Sequence, residues 1–289
     1  MATVRARREY RPMENPSSDQ GRGGPDQVRE GVIVSPLYNG DNNIKFNLFK
    51  VLNALKHFYS FKELEERLGV SAQILWRYVS LRSVPERSTA ERLLQRIEEE
   101  GLIDDALRRA LGDGEELWQV LSSPGVMALA GLKVLSSLKE DKVNVVVTGS
   151  DGYSAAFGSV IADALHARLC VASRSPYSRH IIARHYRLSQ EYYDTLMFPK
   201  ECIPRKGRAL VVMVDGSKAS QLMAILDVLR ARQASVAGVL VVVGGEPRLQ
   251  ELVRTRLGSE VKVLTLVRPH WDQDRPQAEE RRAQAAGRP

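Results

Sequence analysis

Residues 209–229 read ALVVMVDGSKASQLMAILDVL, and this stretch decides the fold. Its first six residues are all apolar, which is typical of a parallel strand covered by helices on both faces. Asp215 ends the apolar run, and the small residues after it lead into a helix that begins near Gln221. Backbone N–H groups in such a loop can hold an anion, and the hydroxyls of Ser217 and Ser220 add two donors. The pattern predicts a buried strand that opens onto a phosphate-binding turn.

The same alternation of strands and helices extends from residue 143 to residue 268. Four further apolar runs are separated by helical segments: VNVVVT (143–148), LCVAS (169–173), VAGVLVVV (236–243) and VKVLTLV (261–267). Alternating elements of this kind predict an α/β fold with a mostly parallel sheet flanked by helices. The residues before the sheet have helical patterns throughout. The predicted organisation is a polar disordered tail, an all-α domain, a helical connector, an α/β domain and a second polar tail, over residues 1–43, 44–100, 101–140, 141–268 and 269–289.

A second candidate loop follows the first apolar run of the α/β domain, where Thr148 precedes a Gly-Ser-Asp-Gly turn and a helix of small residues. The carboxyl ends of parallel strands lie at one edge of a sheet, so the two loops should meet there. Many α/β proteins also have glycine at this junction for geometry alone, and that alternative stays open. The predicted ligand-binding residues of the two loops are Gly149, Ser150, Asp151, Gly152, Asp215, Gly216, Ser217, Lys218 and Ser220.

Positive charge is concentrated in one segment. The chain carries a net charge of +7, and residues 166–208 hold nine Lys or Arg against three acids, a net of +6. Such a field attracts phosphate, whether of a nucleotide or of a nucleic acid. The alternative is a solvated basic loop, but its position between two strands favours an anion-binding role.

Several classes of protein are excluded by composition. Cys170 and Cys202 form no CxxC motif, so we expect neither a zinc site nor a disulfide framework. The five histidines lack the spacing of a helical metal pair, and we expect no protein-bound metal. No stretch approaches the roughly 18 apolar residues of a membrane span, and the N-terminus lacks the apolar core of a secretory signal. These features predict a cytoplasmic protein without membrane partners.

The helical half contains a pattern typical of a helix-turn-helix. Ser60 can cap a first helix, Gly69 can form the turn, and a second helix follows Ser71, while Pro85 precedes a third. The second helix of this motif enters the major groove of DNA, where Gln and Arg contact base edges. Its inward residues would be Ile74, Leu75, Tyr78 and Val79. The predicted DNA-binding residues are Ser71, Gln73, Trp76 and Arg77, with Arg82 just beyond the helix.

The segment GVSAQILWRYVSLRSVP, residues 69–85, resembles the recognition segment of helix-turn-helix repressors of the Cro and phage-repressor type. The resemblance covers about forty residues and implies binding to double-stranded DNA. Glu65 stands where those proteins prefer a small residue, so the packing of the two helices should differ. A small helical bundle used for dimerisation is the alternative.

The segment MFPKECIPRKGRALVVMVDGSKAS, residues 197–220, resembles type I phosphoribosyltransferases, and the similarity extends over roughly residues 125–268. The resemblance implies a sheet with a basic hood and a site for phosphoribosyl pyrophosphate (PRPP) or a nucleotide. By position, Asp215 matches the first acid of the family's acidic pair, which holds the ribose hydroxyls. The loop Gly149–Gly152 matches the pyrophosphate loop, and Arg174 lies where a basic residue commonly contacts pyrophosphate. In that family Mg²⁺ accompanies PRPP, so Mg²⁺ is the only cofactor that the resemblance implies.

Two departures from the family affect the chemistry. Gly216 stands in place of the second acid, and Ala219, Ser220, Gln221 and Leu222 replace a glycine-rich phosphate loop. The first change removes charge at the ribose, and the second crowds the backbone's approach to the 5′-phosphate. Glycosyl transfer depends on accurate positioning, so these losses should lower the rate more than the affinity. We therefore expect weak or absent transferase activity and assign no catalytic residue.

Taken together, the two resemblances predict a transcriptional regulator. The chain would bind DNA as a homodimer, and its phosphoribosyltransferase-like domain would serve as a non-catalytic effector or dimerisation domain that takes a phosphorylated small molecule. This arrangement resembles purine-type repressors and archaeal regulators that fuse the same two parts. Two alternatives stay open. One is an active orotate- or adenine-type phosphoribosyltransferase that transfers phosphoribose from PRPP to a nucleobase, and the other is a scaffold that binds no ligand.

Overall fold

A parallel sheet of five strands forms the centre of the structure, a computed structural model that describes residues 44–110, 116–188, 191–244 and 247–267. Both predicted tails lie outside the described residues. Five strands pair side by side in the order β2-β1-β5-β6-β7, all parallel, and the other two form an antiparallel hairpin. The described strands are β1 (Val145–Thr148), β2 (Arg168–Val171), β3 (Ile181–Arg187), β4 (Tyr193–Pro199), β5 (Arg208–Asp215), β6 (Ser235–Val243) and β7 (Lys262–Val267).

Helices occupy the N-terminal half and alternate with the strands in the C-terminal half, which confirms the predicted fold class. Short 3-10 helices at Lys139–Asp141 and Lys200–Cys202 precede β1 and follow β4. The described α-helices are α1 (Ile44–Leu55), α2 (Phe61–Leu68), α3 (Ala72–Val79), α4 (Arg87–Glu99), α5 (Leu102–Arg109), α6 (Leu117–Ser122), α7 (Pro124–Leu138), α8 (Gly152–Leu165), α9 (Ala219–Ala231) and α10 (Pro247–Leu257). Among these helices, none combines the length and apolar character that a membrane span requires.

Both faces of the sheet are buried, as the continuous apolar runs predicted. In β5, Leu210 and Val212 face the core shared with α1–α8, while Val211 and Met213 face α9, α10 and the β3–β4 hairpin. All four side chains are at most 1% exposed. Burying a side chain of this size contributes about 1.5–3 kcal/mol, so a strand apolar on both faces is stable only between two covering layers.

The segment between the predicted domains packs closely on the α/β part. Helix α7 contacts α8 where Gly131 faces Val160, since a Cβ at Gly131 would lie 3.4 Å from a Val160 methyl carbon. At the C-terminal end of α7, a Cβ at Gly238 of β6 would lie 3.4 Å from Leu138. One continuous apolar core runs from α1 through α7 to the sheet, and all described residues belong to one compact unit. The expected packing of the connector is confirmed, and the domain boundaries stay a prediction.

Local signals explain where α2 and α3 begin and end. Ser60 and Glu63 form a capping box, in which Glu63 N–H donates to Ser60 Oγ (3.2 Å) and Ser60 N–H donates to Glu63 Oε2 (2.7 Å). Gly69 ends α2 at φ +66°, a left-handed conformation that glycine adopts without strain. Glu65 Oε2 accepts the Ala72 N–H at 3.1 Å, so the residue that departs from the repressor pattern satisfies the start of α3.

The cysteines correct one expectation. Cys170 of β2 and Cys202 of the 3-10 helix after β4 pair as a disulfide, with their Cα atoms 5.5 Å apart. The expectation of no disulfide was wrong because it rested on local spacing. The two cysteines are separated by 32 residues, and the hairpin between them brings the chain back to β2. The bond fixes the base of the hairpin to the edge of the sheet.

Candidate functional site

The two predicted loops meet at the carboxyl edge of the sheet, the edge where β1 and β5 end. These strands are direct neighbours, with Thr148 beside Val212. Ser154, in the first turn of α8, has a buried side chain, and its Oγ accepts the Val214 N–H at 3.1 Å. The loop after β1 is therefore held against the end of β5, as the topology of a parallel sheet predicted.

In the loop after β1, the carboxylate of Asp151 is used by the fold. Its Oδ1 accepts the Ser154 N–H at 2.8 Å and so caps α8. The Thr148 hydroxyl donates to the Gly149 carbonyl oxygen at 3.0 Å. The N-terminus of α8 thus already has a negative group beside it, where a phosphate would otherwise bind. The loop has the shape of an anion site, but one of its own carboxylates takes the anion's place.

The loop after β5 is also closed by its own bonds. Asp215 Oδ1 accepts the Ser217 N–H at 2.8 Å, and Gly216 N–H donates to the Val243 carbonyl at 3.2 Å. Ser217 and Lys218 are exposed to solvent. The hydroxyl of Ser220 donates to the carbonyl oxygen of Arg187 at 2.6 Å, so it is directed to the β3–β4 hairpin rather than to a ligand. Sequence placed the helix start near Gln221, and α9 begins two residues earlier.

Gln221 lies across the two loops. A Cβ at Gly149 would be 3.0 Å from the Gln221 side-chain nitrogen, so the amide covers the face of the loop after β1. Its side chain is directed inward, because the residue is only 5% exposed. Its Nε2 donates to the hydroxyl of Tyr186 at 3.4 Å. A buried amide therefore lies directly against the face of Gly149.

A chain of polar contacts continues from Gln221 to Arg174. The Tyr186 hydroxyl donates to Asp194 Oδ2 at 3.0 Å, and a guanidinium nitrogen of Arg174 lies 3.2 Å from the same oxygen. Burial, together with the bond to Asp194, raises the pKa of Tyr186 above its ordinary value. Arg174 follows the carboxyl end of β2 and is paired with a carboxylate of the hairpin, and its contact with pyrophosphate stays a prediction.

Sequence reasoning placed Gln221 in the segment that replaces a phosphate loop but missed its contact with Gly149, and it missed Tyr186 and Asp194 as members of this site. A signal existed for Gln221, which is a polar residue next to the apolar run LMAIL in α9. No local pattern indicated that Tyr186 would contact it from 35 residues away. The described residues contain no group of three or more His, Cys, Asp or Glu that could hold a metal ion. Asp151 and Asp215 each accept a backbone N–H of their own loop on Oδ1.

A cavity of about 680 Å³ opens at the opposite edge of the sheet. Arg208 and Ser235, which begin β5 and β6, line it together with Arg230 and Glu260. It is distant from both predicted loops, because these residues lie at the amino ends of the strands. Ligands of open α/β sheets bind at the carboxyl ends, so the cavity does not replace the carboxyl edge as the candidate site.

The second candidate surface is the outer side of α3. Leu75 is the buried residue of this helix, and Tyr78 and Val79 are half-buried. Ile74 was expected to face inward, and this was wrong, since it is 40% exposed. The Arg82 guanidinium carbon lies 4.9 Å from the centroid of the Trp76 ring, which orients both side chains. Every predicted DNA-binding residue is exposed, namely Ser71, Gln73, Trp76, Arg77 and Arg82.

The comparisons with known proteins concern the C-terminal part of the chain. No family model matches the chain, and no curated protein matches its sequence. Solved structures of adenine phosphoribosyltransferases are similar to it. The enzyme from Rhodothermus marinus has 23% identity and a TM-score of 0.42, with 53% of this chain and 85% of that chain covered. The Giardia lamblia enzyme, complexed with 9-deazaadenine, has 15% identity and a TM-score of 0.46, with coverages of 54% and 86%.

The enzyme from Trypanosoma brucei, in complex with AMP, pyrophosphate and ribose-5-phosphate, has 13% identity and a TM-score of 0.46, with coverages of 57% and 79%. At these identities and TM-scores, the similarity assigns neither a family nor an activity to this chain. The fold class rests instead on the strand order and on the two buried faces of the sheet.

Proposed function

We propose that the chain is a cytoplasmic DNA-binding transcriptional regulator with a non-catalytic phosphoribosyltransferase-like domain. The observation that carries the DNA-binding part is the exposure of the outer side of α3. This helix follows α2 through the left-handed Gly69, and Leu75 anchors it in the core. Gln73 and Arg77 then point to solvent one helical turn apart, as side chains that reach into a major groove must.

Some arginines of the motif form ion pairs within the fold, whereas others are exposed and can contact DNA. Arg67 pairs with Asp105, and Arg87 pairs with Glu91. Arg77 and Arg82 lie on the exposed side of the motif, at the end of α3 and just beyond it. We expect Gln73 and Arg77 to contact base edges and Arg82 to contact phosphate. A homodimer would present two such helices to half-sites about 34 Å apart.

Selection from random duplex DNA, together with DNA from upstream of the coding sequence, tests the proposal. With the selected duplex, Arg77→Ala should weaken binding by about 5- to 150-fold, since a bidentate base contact contributes about 1–3 kcal/mol. Arg92→Ala is the matched control, because Arg92 is an exposed arginine of α4 outside the turn motif. Failure to find any salt-sensitive, sequence-preferring complex would contradict the DNA-binding function.

For the α/β part we propose a site without transferase activity that senses a phosphorylated small molecule. The buried Gln221 amide above Gly149 supports the loss of catalysis, and the basic segment supports attraction of an anion. Calorimetry with PRPP and nucleotides is the test. Micromolar binding supports a sensor, whereas the absence of binding supports a scaffold.

An active transferase is the second candidate, because Asp215 lies at the end of β5 beside the loop after β1. It predicts Mg²⁺-dependent release of pyrophosphate from PRPP with at least one nucleobase. Turnover that Asp215→Asn abolishes would establish this activity and refute the non-catalytic assignment. We expect no turnover across a panel of purine and pyrimidine bases.

A further inference from the structure

One basic and aromatic surface lies away from α3 and adjoins the carboxyl edge of the sheet, next to the end of β2. It consists of the outer side of the β3–β4 hairpin and the adjoining loop 173–180, and we name it the hairpin face. Tyr193 is 70% exposed and Tyr177 is 65% exposed. Both rings are therefore accessible to a partner. Its exposed members include Tyr177, Arg179, His180, His185, Arg187 and Tyr193.

Strand pairing fixes which side of the hairpin is outward. Tyr186 and Leu196 point into the core of the α9 side of the sheet and are buried. Because side chains alternate along a strand, His185, Thr195 and Tyr193 point the other way. His185 faces Thr195 across the strands, with its Nδ1 2.8 Å from the threonine hydroxyl. The outward side therefore carries the polar and aromatic groups of His185, Thr195 and Tyr193.

Backbone hydrogen bonds hold the loop beside the hairpin. Ser173 and Met197 exchange two backbone hydrogen bonds of 2.9 Å, and Lys200 N–H donates to the His180 carbonyl at 2.8 Å. The hydroxyl of Tyr177 donates to the Val171 carbonyl at 2.9 Å. Its ring is thus positioned before any partner binds, which lowers the entropy cost of stacking on it.

The charge of the hairpin face is positive. Of the three acids in segment 166–208, Asp194 is bonded to Tyr186 and Arg174, and Glu201 lies 4.0 Å from Arg232. Two of the three are thus directed to partners within the fold. Of the nine basic residues of the segment, Arg179 and Arg187 are exposed on this face, and Arg187 is paired across the strands with Tyr193. A nucleic acid supplies the complementary phosphate charge.

We propose that the hairpin face binds single-stranded nucleic acid. Exposed tyrosines interleaved with arginine are the arrangement that stacks unpaired bases and follows the backbone phosphates. In a duplex, the bases are stacked on each other and their faces are not available to Tyr177 and Tyr193. Single-stranded partners are therefore favoured over duplex DNA at this surface. This binding is separate from the proposed role of α3.

The test uses the full chain and fluorescein-labelled oligomers of about 12 nucleotides, a length within the site sizes of single-strand binders. Oligo-dT, oligo-U and a mixed-sequence duplex distinguish DNA, RNA and double-stranded partners. We expect one of the single strands to bind more tightly than the duplex. Tyr193→Ala and Tyr177→Ala should each weaken that binding by about 5- to 150-fold, given stacking energies of about 1–3 kcal/mol per base.

Charge and fold are controlled separately. Arg179→Ala should lower the slope of log affinity against log salt by about 0.7, the value for one phosphate of a single strand. Phe46→Ala removes an aromatic ring that is 50% exposed on α1, which packs on the opposite face of the sheet, and should leave binding unchanged. Arg77→Ala should weaken binding to the selected duplex and leave single-strand binding intact, so failures of the two proposals are distinguishable.

Three outcomes would overturn the proposal. The first is single-strand binding that Tyr193→Ala and Tyr177→Ala leave unchanged. The second is equal affinity for duplex and single strands together with loss of both in Arg77→Ala. The third is a change of oligomeric state in Tyr193→Ala by analytical ultracentrifugation without any change in oligonucleotide binding, which would assign the hairpin face to contact with a second copy of the chain.

Discussion

The Tyr59→Phe substitution tests how α2 and α3 are held on the remaining helices. Tyr59 directly precedes the capping residue of α2 and is 3% exposed. Its hydroxyl lies 2.7 Å from Asp105 Oδ2 and 3.3 Å from the Leu102 carbonyl oxygen, both in the first turn of α5. The same carboxylate lies 3.5 Å from Arg67 of α2 and 3.4 Å from Arg109 of α5. One buried hydroxyl thus sits at the centre of the contact between α2 and α5.

The expected loss of stability follows from these contacts. A hydrogen bond to a charged group contributes about 1.5–3 kcal/mol. Phenylalanine keeps the ring, and with it the contact to the Arg109 guanidinium 4.2 Å from the ring centroid. Asp105 keeps its ion pairs with both arginines. Its side chain is 24% exposed, so water can replace part of the lost hydrogen bond. We therefore expect a decrease near the lower limit, about 1.5 kcal/mol in the free energy of unfolding.

Urea unfolding followed by circular dichroism measures the change. Tyr153→Phe is the matched control, because Tyr153 is 38% exposed on α8 and the change should be within about 0.5 kcal/mol. A double-mutant cycle with Asp105→Asn then isolates the pair, and we expect a coupling energy of at least about 1 kcal/mol. Additive losses, or a Tyr59→Phe effect no larger than that of the control, would refute the assigned role of the hydroxyl.

The same pair predicts a dependence on pH. The hydrogen bond from Tyr59, with the charges of Arg109 and Arg67, holds the pKa of the Asp105 carboxyl below its ordinary value. A carboxyl whose pKa is lowered in the folded state adds stability above its unfolded pKa of about 3.9, and this stability disappears as pH falls through the lower folded pKa. The difference between wild type and Tyr59→Phe should therefore be full at neutral pH and shrink in acid. A difference that stays constant down to pH 2 would exclude this linkage.

Three further changes test other parts of the fold. Cys202→Ser should lower the free energy of unfolding by about 3.5 kcal/mol under non-reducing conditions, because it opens the 32-residue loop that the disulfide to Cys170 closes. If dithiothreitol does not change the unfolding of the wild type, this prediction is refuted. Gly69→Ala should cost about 1–2 kcal/mol, because φ is +66°, and Gly69→Asn should cost less in the same urea assay. Glu65→Ala should cost about 1 kcal/mol through loss of the bond from Ala72 N–H, and Glu65→Gln should recover part of it if the side-chain oxygen is what matters.

The elements that sequence predicted well are those whose signals are local. Strand β5 is apolar at every position from 209 to 214, and only two covering layers can bury such a strand. Ser60 and Gly69 begin and end α2 because capping and left-handed turns depend on a few adjacent residues. The meeting of the two candidate loops followed from parallel topology, which places the carboxyl ends of neighbouring strands at one edge.

Features that depend on contacts between distant residues could not be predicted. The hairpin that carries Tyr186 closes over α9, and no sequence period records that Gln221 will meet it. The disulfide depends on the same return of the chain toward β2. Ile74 is exposed because Leu75 fills the contact of the short helix α3 with the core. Helical periodicity places both residues near the apolar side of α3, and only the packing of the helix decides which of the two is buried.

The position of Gln221 has an energetic consequence for any phosphorylated ligand. Such a ligand reaches the Gly149 backbone only if the Gln221 amide moves away, which breaks the hydrogen bond from Gln221 to Tyr186. If the hairpin moves as well, the hydrogen bond from Ser220 to the Arg187 carbonyl also breaks. Each bond contributes about 0.5–1.5 kcal/mol, so opening costs about 2 kcal/mol and weakens apparent affinity by about 30-fold. The cost is small enough for a ligand with several phosphate contacts to overcome.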